Sequence, residues 1–95
     1  MSTLKIVAKF VVTPETKQAV IDAVIKCQGP SRAEEGNNYY DLTESINDEN
    51  ILVILEEWKS QEAIDFHNST DHFKELIASV TGKADVTIDV LNISN

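Results

Sequence analysis

His67 and His72 are the two histidines of the chain, and both lie in the segment Phe66-His67-Asn68-Ser69-Thr70-Asp71-His72-Phe73. Imidazole titrates near neutral pH, so either ring can take up a proton or hold a ligand hydroxyl through a hydrogen bond. His67, beside Phe66 at a segment that breaks helices, is the candidate catalytic base. His72 reads as a solvent-facing or capping residue. The two are five apart and do not share a helical face as an i, i+4 metal pair does. With no Cys or His cluster elsewhere, no metal site is expected. The single cysteine, Cys27, falls on an apolar stripe and reads as core rather than nucleophile. Three dispersed glycines make neither a phosphate loop nor a dinucleotide fingerprint, so no cofactor is expected either.

Upstream, Glu56 and Trp58 stand two apart at the end of an apolar run and therefore share a sheet face. Trp58 supplies a flat apolar wall and one N–H donor. Glu56 has Leu52 and Ile54 as neighbours on that face. Its carboxyl needs a partner, such as Arg32 or a histidine, or else a raised pKa. Tyr39 and Tyr40 point to opposite faces, and Tyr40 is the one expected to line a pocket. Arg32, Tyr40, Glu56 and Trp58 are thus the candidate substrate-binding residues around His67.

These side chains must be positioned by strands and helices that the periodicity marks out. Leu4 to Val12 alternates as a strand, with Ile6, Ala8, Phe10 and Val12 on one side. Thr13-Pro14-Glu15 reads as a helix start, with Thr13 as cap and Pro14 at the first helical position. Ala19, Val20, Ala23, Val24 and Cys27 make one apolar helical face, and Gly29-Pro30 is expected to interrupt it. Asn37 to Ile46 and Ile51 to Trp58 read as a hairpin around the turn formers Asn47-Asp48-Glu49-Asn50. Ser60 caps the next helical stretch. Asn68-Ser69-Thr70-Asp71 is a poor helix interior, which predicts two short helices with a kink between them. Ala84 to Ile93 is the last strand. The order βαββαβ is a ferredoxin-like α+β arrangement: one domain over residues 1–95 and a four-stranded antiparallel sheet with its helices on one face.

Ile51, Val53 and Leu55 point to one side of the sheet while Leu52, Ile54 and Trp58 point to the other. Helices can cover only one side, and a second copy of the sheet is the simplest cover for the rest. A homodimer is therefore expected, with a larger apolar ligand or a different protein partner as the alternatives. The formal net charge of −8, from 16 acidic and 8 basic residues, opposes binding to nucleic acid or to an anionic membrane. No apolar run approaches the ~20 residues of a membrane span. The N-terminal residues lack the pattern of a signal peptide, and one cysteine suits a reducing compartment, so the expected location is cytoplasmic.

The motifs also carry a resemblance. Trp58-Lys59-Ser60-x-x-Ala63 followed by Phe66-His67 and His72-Phe73 resembles the strand-three and helix-two signature of the antibiotic biosynthesis monooxygenase family. Ser31-Arg32-Ala33-Glu34-Glu35-Gly36 with Tyr40 resembles that family's Ser/Thr-Arg-x-Glu-x-Gly-x-x-x-Tyr segment, and Pro14 opening the first helix also matches. The resemblance implies a dimeric α+β barrel with a pocket between sheet and helices. It also implies a quinol or polyketide monooxygenase that uses molecular oxygen without metal, flavin or haem. Haem-degrading members carry an Asn, a Trp and a His where this chain has Phe10, His67 and Ile77, so haem oxygenation is not implied. An isomerase branch carries Phe-His-x-x-Thr-x-His-Tyr, which resembles Phe66 to Phe73.

Three functional expectations follow. The first is a cofactor-independent monooxygenase acting on a small quinol or phenol-like aromatic and molecular oxygen, with His67 as base. The second is a keto–enol isomerase of a phosphorylated hydroxy-ketone, in which Arg32 or Lys9 holds the anionic group. The third is a dimeric small-molecule-binding module without catalysis.

Overall fold

The computed structural model describes residues 3–93, so the leader reading at Met1-Ser2 falls outside it. Four strands and three helices follow one another as β1 (Leu4–Val11), α1 (Lys17–Arg32), β2 (Asn37–Glu44), β3 (Ile51–Trp58), α2 (Gln61–Asn68), α3 (Asp71–Val80) and β4 (Asp85–Asn92). The strands form one antiparallel sheet in the order β2-β3-β1-β4. This is the ferredoxin-like α+β fold, with the second helix split in two as the Asn68–Asp71 composition predicts.

Register decides which residues meet. Leu4, Ile6, Ala8 and Phe10 of β1 pair with Trp58, Glu56, Ile54 and Leu52 of β3, and Tyr40 of β2 pairs with Glu56. Cross-strand partners lie on the same side of a sheet, so all of these face the helices and are buried. The helices contribute Val20, Val24 and Cys27 from α1, Ile64 from α2, and Leu76 and Val80 from α3 to the same core.

Thr13 and Thr16 interlock at the entry to α1. Thr16 N–H donates to Thr13 Oγ1 at 3.3 Å and Thr13 N–H to Thr16 Oγ1 at 3.0 Å. Thr13 thus caps a single turn through Pro14, and the regular helix begins three residues later than expected, at Lys17. The expected interruption at Gly29-Pro30 does not occur. The helix continues to Arg32, and Ala33 N–H still reaches Gly29 O at 3.1 Å. A proline this near the C-terminus removes one backbone donor while its ring sits on the exposed side, so the last turn survives. Continuation matters because it carries Ser31 into the core and aims the following residues at α2.

Gly36 shows how tightly that connection packs. A Cβ there would fall well inside van der Waals contact of the Ala63 Cβ. Lys59 N–H bonds Gly36 O at 2.9 Å, and Lys59 Nζ bonds Glu35 O at 2.9 Å. The α1–β2 loop is thereby held against the start of α2.

Candidate functional site

The helix break brings the two histidines to one carboxylate. Ser60 caps α2 by accepting from Ala63 N–H at 3.1 Å, and Thr70 caps α3 by accepting from Phe73 N–H at 3.2 Å. Thr70 Oγ1 also donates to His67 O at 2.7 Å, which closes the end of α2. Because the chain turns between the helices, the five-residue spacing that would splay the rings on one helix instead points both at Glu34. His67 Nδ1 lies 2.7 Å and His72 Nε2 2.6 Å from Glu34 Oε2. A carboxylate has no proton to give, so both ring nitrogens donate. His67 is then the tautomer with its proton on Nδ1, and Nε2 carries the lone pair. The reading of His72 as solvent-facing is corrected, since most of its side chain is buried against Glu34.

His67 is buried and its ring lies 4.4 Å, centroid to centroid, from Trp58, with Phe73 at 5.2 Å and Tyr40 at 6.0 Å. Burial lowers its pKa below the ordinary 6.5, while the bond to Glu34 pulls it back up. The ring is therefore neutral at pH 7, the state a base requires. Trp58 Nε1 donates to Glu56 Oε1 at 2.9 Å. The partner of Glu56 is thus the tryptophan two residues on, and neither Arg32 nor a histidine bonds it. Burial raises the Glu56 pKa to about 7; the indole N–H lowers it, and the nearby charge of Glu34 adds to the rise.

Four of the five sequence-derived site residues converge here: Tyr40, Glu56, Trp58 and His67. They do so as tightly packed core. Tyr40 Oη donates to Cys27 Sγ at 3.6 Å, and Cys27 Sγ lies 3.4 Å from Ser31 Oγ. Burial pushes both the Tyr40 hydroxyl and the Cys27 thiol up, so neither is an anion at neutral pH. Arg32 does not join them. Its Nε donates to Tyr40 O at 3.0 Å and its guanidinium pairs with Asp41 at the surface, a pairing set by the α1–β2 connection. Lys9 is exposed on the opposite face of the sheet.

The residue that sequence reasoning passed over is Glu34, which it met inside a longer motif without a role of its own. Only the folded chain brings it to His67 and His72, 33 and 38 positions away. Glu34 Oε1 is buried without a hydrogen-bond partner among the described residues.

Glu34, His67 and His72 are a donor set that can hold a divalent ion, with ligand atoms within 4.8 Å of one another. Two donors on one ion, each about 2.1 Å from it in tetrahedral geometry, stand roughly 3.4 Å apart. Contacts of 2.6 and 2.7 Å are the lengths of charge-assisted hydrogen bonds. The arrangement as it stands holds protons between these groups.

Outside the core, a groove of about 740 Å³ opens between the end of α1, the α1–β2 loop and α2. Pro30, Ala33, Gly36, Ala63 and Phe66 give it apolar walls, Lys59, Glu35 and Glu62 stand around it, and Glu34 connects it to the buried cluster. Tyr40, Glu56, Trp58 and His67 do not line it.

A ferredoxin-like α+β domain that buries a Glu–His pair against a tryptophan, beside a mostly apolar groove, is the class of small protein that the fold and the site define. Within that class the chain belongs to the antibiotic biosynthesis monooxygenase family, whose pattern it matches over residues 3–79. It is 39% identical over 80 residues to YcnE of Bacillus subtilis (strain 168), covering 84% of each chain. It is 35% identical over 82 residues to Rv0793 of Mycobacterium tuberculosis, covering 83% of this chain and 77% of that one. Monooxygenase is the activity that both of those names suggest. The solved structure of Rv0793 superposes with a TM-score of 0.94 at 29% identity, covering 99% of this chain and 97% of that one. A crystal structure of an antibiotic biosynthesis monooxygenase superposes with a TM-score of 0.88 at 26% identity, covering 97% and 99%. A monooxygenase-like function is the coarse conclusion these findings carry. Among the described residues, no helix is long and apolar enough to cross a membrane.

Proposed function

We propose that the protein is a cofactor-independent monooxygenase that oxidises a small quinol or phenol-like aromatic with molecular oxygen. The observation that carries this reading is the buried pair Glu34–His67. A carboxylate fixes the imidazole through Nδ1, and Nε2 is left as a neutral base in a water-poor setting. On this reading His67 Nε2 takes the substrate's hydroxyl proton once a shift of the wall at Glu34 admits the ring, because the groove itself meets the pair only at Glu34. The resulting phenolate is electron-rich enough to reduce oxygen itself, so the protein binds, deprotonates and excludes water. For a hydroquinone, one C–H bond breaks and one C–O bond forms. The second oxygen atom leaves as water, and the substrate supplies all four electrons. Trp58 and Tyr40 hold the imidazole by packing, and Glu56 anchors the Trp58 indole.

The isomerase reading requires a cation beside His67 to hold a phosphate. Arg32 is engaged with Tyr40 O and Asp41, and Lys9 is on the other face of the sheet. Neither supports that reading. A homodimer is part of the proposal, supported by the uncovered apolar side chains Val11 and Leu55, which share the sheet face away from the helices.

The test is oxygen uptake with a panel of chemically reduced quinols in the presence of chelator, wild type beside His67→Ala, with protein-free controls. The expected result is saturable, chelator-resistant uptake that falls at least about tenfold in the variant. Since burial depresses the His67 pKa, the acid limb of kcat/KM is expected below pH 6.5. Uptake equal to autoxidation across the panel sinks the monooxygenase. Uptake abolished by chelator sinks its metal independence.

A further inference from the structure

Glu34 is bonded on one side of its carboxylate only among the described residues. Its Oε2 is saturated by two imidazole N–H donors, while its Oε1 is buried with no partner among the described residues. A buried carboxylate oxygen without a donor forfeits its hydration with no compensation, so such atoms are rare in folded proteins unless something else supplies the bond. Glu34 is also among the residues that line the 740 Å³ groove, a size typical of small-molecule sites, with its carboxylate set just behind that wall.

We propose that this groove binds an uncharged, flat apolar molecule bearing a hydroxyl or amino group, held by that group's hydrogen bond to Glu34 Oε1. The rest of the groove fits such an occupant. Pro30, Ala33, Gly36, Ala63 and Phe66 offer apolar surface, and the Phe66 ring, 62% exposed in the free protein, gains cover from a flat ligand. Three carboxylates, Glu34, Glu35 and Glu62, face one cation, Lys59, whose Nζ is already bonded to Glu35 O. That balance repels an anion and leaves a neutral molecule unopposed. Oε1 is closed to bulk water, so a donor reaching it through a small side-chain shift in the wall makes a bond that solvent does not. An acceptor placed there meets a carboxylate lone pair instead. The site therefore selects donors over acceptors, a quinol over its quinone.

This inference rests on the proposed function in placing the occupant beside Glu34–His67, but its test reads binding alone. The probes are 2-naphthol, 2-methoxynaphthalene and 2-naphthoate, redox-quiet molecules of one shape that differ in donor, acceptor and charge. Titration calorimetry gives affinities, and amide shifts in a ¹⁵N spectrum locate the site. Wild type is expected to bind 2-naphthol at least about tenfold more tightly than its methyl ether, the scale of a hydrogen bond to a charged group. Shifts should be centred on Ala33, Gly36, Ala63 and Phe66, and 2-naphthoate should bind most weakly.

Glu34→Gln separates this from a structural role. The amide oxygen keeps both imidazole donors, and the NH₂ takes the place of Oε1; hydroxyl and ether oxygens can both accept from it, so the preference for 2-naphthol should be lost. Ala33→Trp, on an exposed residue of the wall, should abolish binding of all three while the amide spectrum stays dispersed. Equal affinity of wild type for naphthol and ether, shifts confined to other surfaces, or an unchanged preference in Glu34→Gln overturns the proposal. Donor-selective binding with no oxygen uptake from any quinol would leave the groove standing and remove the monooxygenase. Oxygen uptake without groove binding would do the reverse.

Discussion

Glu56 is the residue whose chemistry is most exposed to test, because its environment and its ionisation pull in opposite directions. Burial raises its pKa from 4.5 to about 7, and the Trp58 N–H offsets only part of that. Between those values the unfolded chain has released the proton while the folded chain still holds it. The folded state then binds more protons, so stability falls as pH rises from about 4.5 to 7, and the loss is complete above 7. A shift of this size corresponds to roughly 3 kcal/mol. Glu56→Gln keeps an oxygen for the indole N–H and removes the titration. Urea unfolding at pH 5 and pH 8 should show the variant gaining on wild type by about 2–3 kcal/mol between the two conditions. A pH-independent difference would mean that the Glu56 carboxyl is ionised at pH 5 in the folded state. From two apolar same-face neighbours, Leu52 and Ile54, the sequence left two outcomes open, a partner such as Arg32 or a histidine or else a raised pKa, and the second is the one found. It did not anticipate the partner, because an i, i+2 bond between Glu56 and Trp58 depends on rotamers that no pattern encodes.

At the level of elements, most boundaries were legible because local chemistry sets them. Ser60 and Thr70 cap their helices through side chains, and the polar run between Asn68 and Asp71 ends one helix and starts another. What escaped was the consequence of that break. Helical spacing said that His67 and His72 diverge, whereas the turn between α2 and α3 returns them to one point. Pro30 misled in the other direction, since a proline in the last exposed turn leaves the bonds after it intact. The contact between the α1–β2 loop and α2 is equally non-local, and it sets where Glu34 sits. Gly36→Ala places a methyl group into Ala63 and should destabilise the protein by about 1–3 kcal/mol while moving Glu34 away from His67. Ala63→Gly alone costs about 1 kcal/mol of helix propensity. If the clash is the cause, adding Gly36→Ala to that background costs little more, and the coupling exceeds about 1 kcal/mol. Strict additivity of the two changes in denaturant unfolding would place the role of Gly36 elsewhere.

For the whole molecule, the sheet has more apolar surface than its helices cover. Facing the helices, β4 leaves Val86, Ile88 and Val90 exposed, because its partners on β1 lie under the helices and it does not. On the opposite side, Val7 and Val11 of β1 pair with Leu55 and Ile51 of β3, with Val53 between them. The alternation in β3 made this excess readable from sequence. Its cover was read only as the simplest choice, a second copy of the sheet, since a partner leaves no periodicity of its own. A second copy is the occupant we propose for the outer face, because it offers the same apolar stripe and needs no further component. Polar groups bound that stripe at one end, where Lys5 bonds both Glu57 and Tyr39, which gives a dimer a defined rim and register. Leu55, 40% exposed, sits opposite Val7 and Asp41, near the middle of this face. Leu55→Asp puts a charge into the centre of the contact and leaves the helix-facing core untouched. The expected outcome is a wild-type dimer and a folded monomeric variant in sedimentation at micromolar concentration, with dimer affinity reduced at least about 100-fold. A variant that remains dimeric would move the contact off this face, and the exposed stripe of β4 would then be the surface to substitute.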